Sequence, residues 1–273
     1  MSQSHRVPDE GGSMTAEYVC AGGARLFTRV HYLSGDAPWL VFSNSLMTDH
    51  TIWDAQVEHF SSRFNILVYD QRGHGRSEIS TDLTFDELSK DVLALLDHYQ
   101  IAACSFVGLS MGVPTGLGAF AIQPSRFTRL IFSDGQMASQ PAARDIWQAR
   151  IDSARASGMP WVARQTIERW FSPQFVQEGR ADDLLERAGA MDVEGYCAAA
   201  SALRSFDFSS VAAKVTVPLL LLAGANDGLI PSIMQGMADH IPGAEFHLIE
   251  GAGHIPNLEQ PRDFNRLLAA FLP

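Results

Sequence analysis

At 273 residues, 46% hydrophobic and 19% charged, the chain can bury a large core and lacks the composition of a disordered segment. A formal net charge of −11, with no run of like charges, argues against nucleic acid and membrane surfaces as partners, although local arginines in a cleft can still draw in an anion. Three scattered cysteines, Cys20, Cys104 and Cys197, without metal spacing, fit reduced thiols in a cytoplasmic protein better than a disulfide framework.

In chain order, residues 1–14 are polar and Gly-rich and are expected to form a flexible tail with no signal-peptide core. Short apolar runs then recur at Trp39 to Phe42, Asn65 to Tyr69, Ser105 to Val107, Arg129 to Phe132, Leu219 to Ala223 and Phe246 to Ile249. Their near-continuous hydrophobicity predicts parallel strands buried on both faces. Between them, Thr84 to Glu87 has the form of a capping box, followed by Phe85, Leu88, Val92, Leu95, Leu96 and Tyr99 on one helical face. Cys104 falls in a strand and is expected to be a small buried hydrophobe. From about Gln136 to Arg204 the alternation stops, and only helical spacing remains. The reading is an α/β fold: a mostly parallel central sheet flanked by helices, with a core over 15–135 and 206–273 and a helical cap over 136–205. An insertion there would overhang the carboxyl edge of the sheet, where ligands bind.

Gly108-Leu109-Ser110-Met111-Gly112 has the spacing of a nucleophile elbow, with a strand before it and a helix after it. The turn is too tight for side chains at the flanking glycines, and Pro114 is tolerable only in the first turn of the helix. A serine hydroxyl needs a base to accept its proton. His254, in the loop after the strand ending at Ile249, is the best placed; His74, in Arg72-Gly73-His74-Gly75, reads as structural. Asp227, after the strand Leu219 to Ala223, gives the chain order Ser, Asp, His and is the favoured acid, with Asp134 as its rival. Two backbone N–H groups should receive the oxyanion: Met111, next to the nucleophile, and by position Leu46. No His-x-x-x-His, Cys-x-x-Cys or phosphate-loop pattern occurs, so neither a metal nor another cofactor is expected.

These residues resemble the α/β-hydrolase superfamily and, within it, the 3-oxoadipate enol-lactonases. The likeness runs from Ser43-Asn44-Ser45-Leu46 through Tyr69-Asp70-x-Arg72-Gly73-His74-Gly75 and the elbow, and into the cap at Trp147-x-x-Arg150, Arg169-Trp170-Phe171-Ser172-Pro173, Gly195-Tyr196 and Leu203-Arg204. It implies hydrolysis of a lactone ester through an acyl-enzyme on Ser110. The chain departs from that family at Met47, at Ser133-Asp134-Gly135-Gln136 and at Gly253-His254-Ile255-Pro256. A small, carboxylate-bearing substrate would favour arginine, with Arg150 and Arg204 as candidates. Trp147, Trp170 and Met47 are candidate pocket walls. The alternative enzyme reading is cleavage of a carbon-carbon bond in a ring-cleavage product, or of another ester or amide, by the same triad. A non-catalytic ligand-binding receptor is disfavoured because every catalytic position is filled.

Overall fold

A computed structural model describes residues 14–273. The expected tail over residues 1–13 lies outside the described residues, whereas Met14 opens the first strand rather than closing the tail. Strand β1 (Met14–Ala21) folds back on β2 (Ala24–His31), through Gly22 and Gly23 at φ of 55° and 89°. That pair of positive φ angles is what a two-residue hairpin turn demands. There follow β3 (Trp39–Ser43), helix α1 (Asp54–Phe60), β4 (Asn65–Tyr69), α2 (Phe85–His98), β5 (Cys104–Leu109), α3 (Gly112–Ile122) and β6 (Phe127–Ser133). Helices α4 (Ala143–Ser157), α5 (Met159–Trp170), α6 (Pro173–Gln177), α7 (Asp182–Gly189), α8 (Val193–Ala202) and α9 (Ser209–Ala212) come next. The chain closes with β7 (Leu219–Gly224), α10 (Ile230–His240), β8 (Glu245–Ile249), α11 (Pro256–Glu259) and α12 (Pro261–Phe271).

The strands form one eight-stranded sheet in the order β1-β2-β4-β3-β5-β6-β7-β8. From β4 to β8 every pairing is parallel, and β2 runs against both of its neighbours. Strand residues alternate between the two sides, as the pleat requires. Leu40, Phe42, Val107, Leu109, Leu220 and Leu222 pack with Val57, Phe60, Phe264 and Leu268 from α1 and α12. On the other face Val41, Phe106, Leu130, Phe132 and Leu221 pack with Val92, Leu96, Leu117 and Met234 from α2, α3 and α10. Cys104 lies wholly in that second layer, where burial pushes its thiol up to about 12.

The capping box at Thr84 and Glu87 is complete, and all six residues expected on the buried face of α2 are buried. One expectation fails at β8. Its apolar run is not covered on both sides, for Leu248 is 46% exposed and His247 is exposed as well. The strand is the sheet's edge, and because His247 and Leu248 point to opposite faces, neither face is fully covered there.

The helices after β6 leave and rejoin the sheet through a short stem. Ser139 N–H donates to the Phe206 carbonyl at 2.8 Å and Phe208 N–H to the Met137 carbonyl at 2.8 Å. Between those crossings α4, α5, α7 and α8 form a helical layer whose apolar residues join the first core cluster, as with Ile151, Ile167, Leu184 and Tyr196. This layer lies over the carboxyl ends of β5, β6 and β7, and a pocket remains between them.

Candidate active site

The strand β5 ends where Gly108 passes under α3, and a Cβ there would run into the Gly112 carbonyl. One added at Gly112 would sit 2.6 Å from the Ser43 carbonyl oxygen. Both glycines are therefore sterically required, as expected. Between them Ser110 adopts φ 53°, a left-handed conformation unusual outside glycine and costly for an L-residue. The strain turns the hydroxyl out of the strand-to-helix corner. Pro114 lies in the first turn of α3, as it must.

Two loops bring partners to that hydroxyl. His254 Nε2 lies 3.0 Å from Ser110 Oγ, and His254 Nδ1 lies 2.7 Å from Asp227 Oδ2. Because a carboxylate only accepts, Nδ1 carries the proton and Nε2 is free to accept one from serine. Asp227, not Asp134, takes the imidazole. The histidine is also fixed from the side: its ring stacks on Trp170 with centroids 5.2 Å apart, and its N–H donates to the Trp170 carbonyl at 2.8 Å. Gly253 lets the backbones come so close, since a Cβ would strike that carbonyl. Glu259 completes the clamp. It is buried and accepts from Gly253 N–H at 2.7 Å and from Ser172 N–H at 2.8 Å, tying the histidine loop to the residue after α5 and Phe171.

Leu46 and Met111 are both buried, and among the described residues neither N–H donates to a protein acceptor. Buried backbone donors are almost always paired; of these two, Met111 directly follows Ser110, and Leu46 precedes Met47, which lines the same pocket as Ser110. His74 is structural, its Nδ1 2.9 Å from the Arg72 carbonyl.

Above Ser110 the pocket measures about 210 Å³, smaller than a cavity for a drug-sized ligand. Met47, Trp147, Arg150 and Trp170 line it, as expected. Arg204 does not. It lies instead at a separate surface cleft with Arg155 and Glu194. The reason is local: α8 ends at Ala202, Leu203 turns into the pocket, and the next side chain consequently points away. Its place is taken by Arg169, which sequence reasoning missed. Thr166, Arg169 and Trp170 all line the pocket from α5, and their i, i+3, i+4 spacing was the available signal.

Arg150 is half-buried and Arg169 stands at the rim. Arg150 lies over the Trp147 ring at 4.4 Å, and among the described residues neither guanidinium has a carboxylate partner. Burial lowers the pKa of both, and Arg169 lowers that of Arg150 further. Two cations thus face one small cavity, neither of them in an ion pair among the described residues, although Asp227, at the same pocket, acts on Arg169. Among the described residues, Asp134, Asp227 and His254 are the one trio of such side chains whose donor atoms lie within 4.8 Å of one another, and the last two are already engaged with each other.

A sheet of this order, with a serine at a strained corner and a histidine and a carboxylate on the following loops, defines a hydrolase of the α/β type. The family model described as alpha/beta hydrolase family matches residues 40–267, and the chain belongs to that family. More particularly, it is 34% identical over 242 residues to 3-oxoadipate enol-lactonase 2 of Acinetobacter baylyi, covering 87% of this chain and 89% of that one. It is 28% identical to a Pseudomonas syringae protein assigned as the carbamate hydrolase RutD, over 87% of this chain and 94% of the other. The crystal structure of the enol-lactonase from Burkholderia xenovorans LB400 superposes with a TM-score of 0.88 at 32% identity, covering 94% of this chain and 99% of that one.

Proposed function

We propose that the protein is a cofactor-free serine hydrolase that opens a carboxylate-bearing enol-lactone, or a related small carboxylic ester, through an acyl-enzyme on Ser110. The observation that carries this reading is the unbroken chain Ser110–His254–Asp227 at the floor of a small pocket with two unpaired arginines. The enol-lactonase relatives support the substrate class.

In the first half-reaction His254 Nε2 takes the Ser110 proton while Oγ bonds to the ring carbonyl carbon. The carbonyl oxygen becomes an oxyanion held by the Leu46 and Met111 N–H groups, and Asp227 stabilises the imidazolium. Collapse breaks the ring C–O bond, and the enol oxygen leaves with the proton from His254. An enol is a good leaving group and can tautomerise to the ketone. In the second half-reaction His254 deprotonates water, which attacks the acyl carbon, and Ser110 regains its proton as the acid departs. Arg150 and Arg169 bind the substrate's free carboxylate, while Trp147, Trp170 and Met47 enclose the ring.

The test is loss of enol-lactone absorbance with purified protein, together with labelling by a fluorophosphonate. Wild type should open the lactone and label at Ser110, and Ser110→Ala should do neither. Equal lactone turnover in both would refute the assignment. Carbamate hydrolysis is the second reading, favoured by the RutD relatives; faster turnover of a small carbamate than of any lactone or ester would select it.

A further inference from the structure

The end of β6 carries a carboxyl group that the proposed mechanism does not use. Asp134 is 1% exposed and sits at φ 47°, a conformation that Asp tolerates better than most residues but still at some cost. Its surroundings are fixed by sheet register. Ser133 pairs with Leu222, so Asp134 falls beside the tip of β7, and its own N–H donates to the Leu222 carbonyl at 3.0 Å. Oδ1 accepts from Gly224 N–H at 2.8 Å, and Oδ2 lies 2.6 Å from the Ser133 hydroxyl. Gly224 must be bare because the histidine loop crosses it, and a Cβ there would strike the Gly253 carbonyl. The group is thus wedged where β6, β7 and the His254 loop meet.

One oxygen of Asp134, one of Asp227 and a ring nitrogen of His254 all lie within 4.8 Å of one another. Two carboxylates so close, one of them sealed from water, do not both stay ionised. Asp227 is the more accessible and is engaged by the imidazole, so the proton falls to Asp134.

We propose that Asp134 is a second carboxyl of the triad's acid: a neutral positioning residue that donates a hydrogen bond to Asp227, aims it at His254, and ionises in its place when Asp227 is removed. The inference rests on the serine-hydrolase reading above. Burial first, and the Asp227 charge second, hold the Asp134 carboxyl well above the ordinary carboxylate range. The charged or titratable groups that face it are Asp227, from the loop after β7, and His254, from the loop after β8; Ser133 and Gly224 offer only neutral donors. Arg169, from the cap, acts on Asp227.

A carboxamide reproduces the neutral form, with its oxygen toward Gly224 N–H and its NH₂ free to donate to Asp227, whereas alanine provides neither group. The experiment compares wild type, Asp134→Ala, Asp134→Asn, Asp227→Ala, the Asp227→Ala/Asp134→Asn double variant and Ser110→Ala, each checked by thermal melting, with p-nitrophenyl acetate as the probe. Asp134→Ala should lower kcat about tenfold with little change in KM, and Asp134→Asn should recover most of that loss. Asp227→Ala should stay at least tenfold more active than the double variant, because only the former still has a carboxyl that can serve His254. Folded Asp134→Ala and Asp134→Asn proteins with the same kcat, or Asp227→Ala no faster than the double variant, would overturn the proposal. Ser110→Ala separates the failures: if it retains wild-type activity the hydrolase mechanism itself is wrong, and if it is inactive only the role of Asp134 is at stake.

Discussion

Replacing Arg150 with methionine deletes a charge while keeping an apolar stem against Trp147, over which the guanidinium now lies at 4.4 Å. If that guanidinium binds the substrate carboxylate, the variant loses a charge-assisted hydrogen bond, worth about 1.5–3 kcal/mol. At 1.36 kcal/mol per decade, that is a loss of roughly 10- to 160-fold in kcat/KM. The lower half of the range is expected, because Arg169 lines the same pocket and retains its charge. Folding should scarcely change. Arg150 has no ion pair among the described residues, and losing the Trp147 contact, about 0.5–1 kcal/mol, is offset by removing repulsion from Arg169. The assay measures kcat/KM for a short ester with a terminal carboxylate and for its neutral methyl-ester counterpart, on wild type and Arg150→Met. The carboxylate substrate should lose at least tenfold and the neutral one less than threefold. Equal losses for the two would refute the reasoning, since a merely structural arginine affects both alike.

Glu259→Ala strands the N–H groups of Gly253 and Ser172 at about 1–3 kcal/mol each. For a chain of this size the melting temperature should therefore fall by roughly 5–15 °C, and kcat should suffer more than KM because the His254 loop is released; an unchanged melting curve would contradict this. Met47 lines both the catalytic pocket and a neighbouring cavity of about 270 Å³, so Met47→Gly should join them and move the best p-nitrophenyl ester from acetate toward longer acyl chains. An unmoved chain-length optimum would count against Met47 as the partition. Asp134 also sets a pH dependence of stability: its folded-state pKa is raised, so above the ordinary carboxylate value the folded protein keeps a proton that the unfolded chain has lost. Stability then declines as pH rises through that window. The melting-temperature difference between Asp134→Asn and wild type should therefore grow in the variant's favour from pH 4 to pH 8, and a constant difference would argue that Asp134 is ionised.

Much of this architecture was legible because its signals are local. The strands from β3 to β7 are short apolar runs, broken by an exposed residue only at Thr128 near the start of β6, and the start of α2 is written in Thr84 and Glu87. The Ser110 turn needs glycines at fixed offsets, and the chain order of Asp227 and His254 follows from the sheet. The β1–β2 hairpin went unread although Gly22-Gly23 is a hairpin signal, because Thr15 to Tyr18 are exposed on both faces of β1 and show no alternation. The substrate wall was only half legible. Arg150 and Arg204 are both cap arginines, and which one faces the pocket depends on where α8 ends, a one-residue matter that spacing alone does not fix. Arg169 was marked only by its i, i+3, i+4 spacing with Thr166 and Trp170 on α5, whereas Glu259 reaches Ser172, far off in sequence, and such pairings leave no local mark.

Among the described residues, four non-glycine residues adopt positive φ: Met47, Gln100, Ser110 and Asp134. Three of them line the catalytic pocket, and they stand beyond the carboxyl ends of β3, β5 and β6. A parallel strand that continues straight would carry its next side chain into the layers above or below the sheet. A left-handed residue at the tip turns the chain sharply and leaves that side chain at the sheet's edge, facing the cap. The cost is of the order of 1–3 kcal/mol per site, and the surrounding packing sustains it: Ser110 N–H is held by the Ser133 carbonyl at 2.8 Å, and Asp134 N–H by the Leu222 carbonyl. Ser110 and Asp134 are thus each braced by the backbone of the neighbouring strand, Ser110 by the residue that precedes Asp134. A substitution that relaxes one of them should loosen the next, so combined changes at Ser110 and Asp134 are expected to be non-additive in stability.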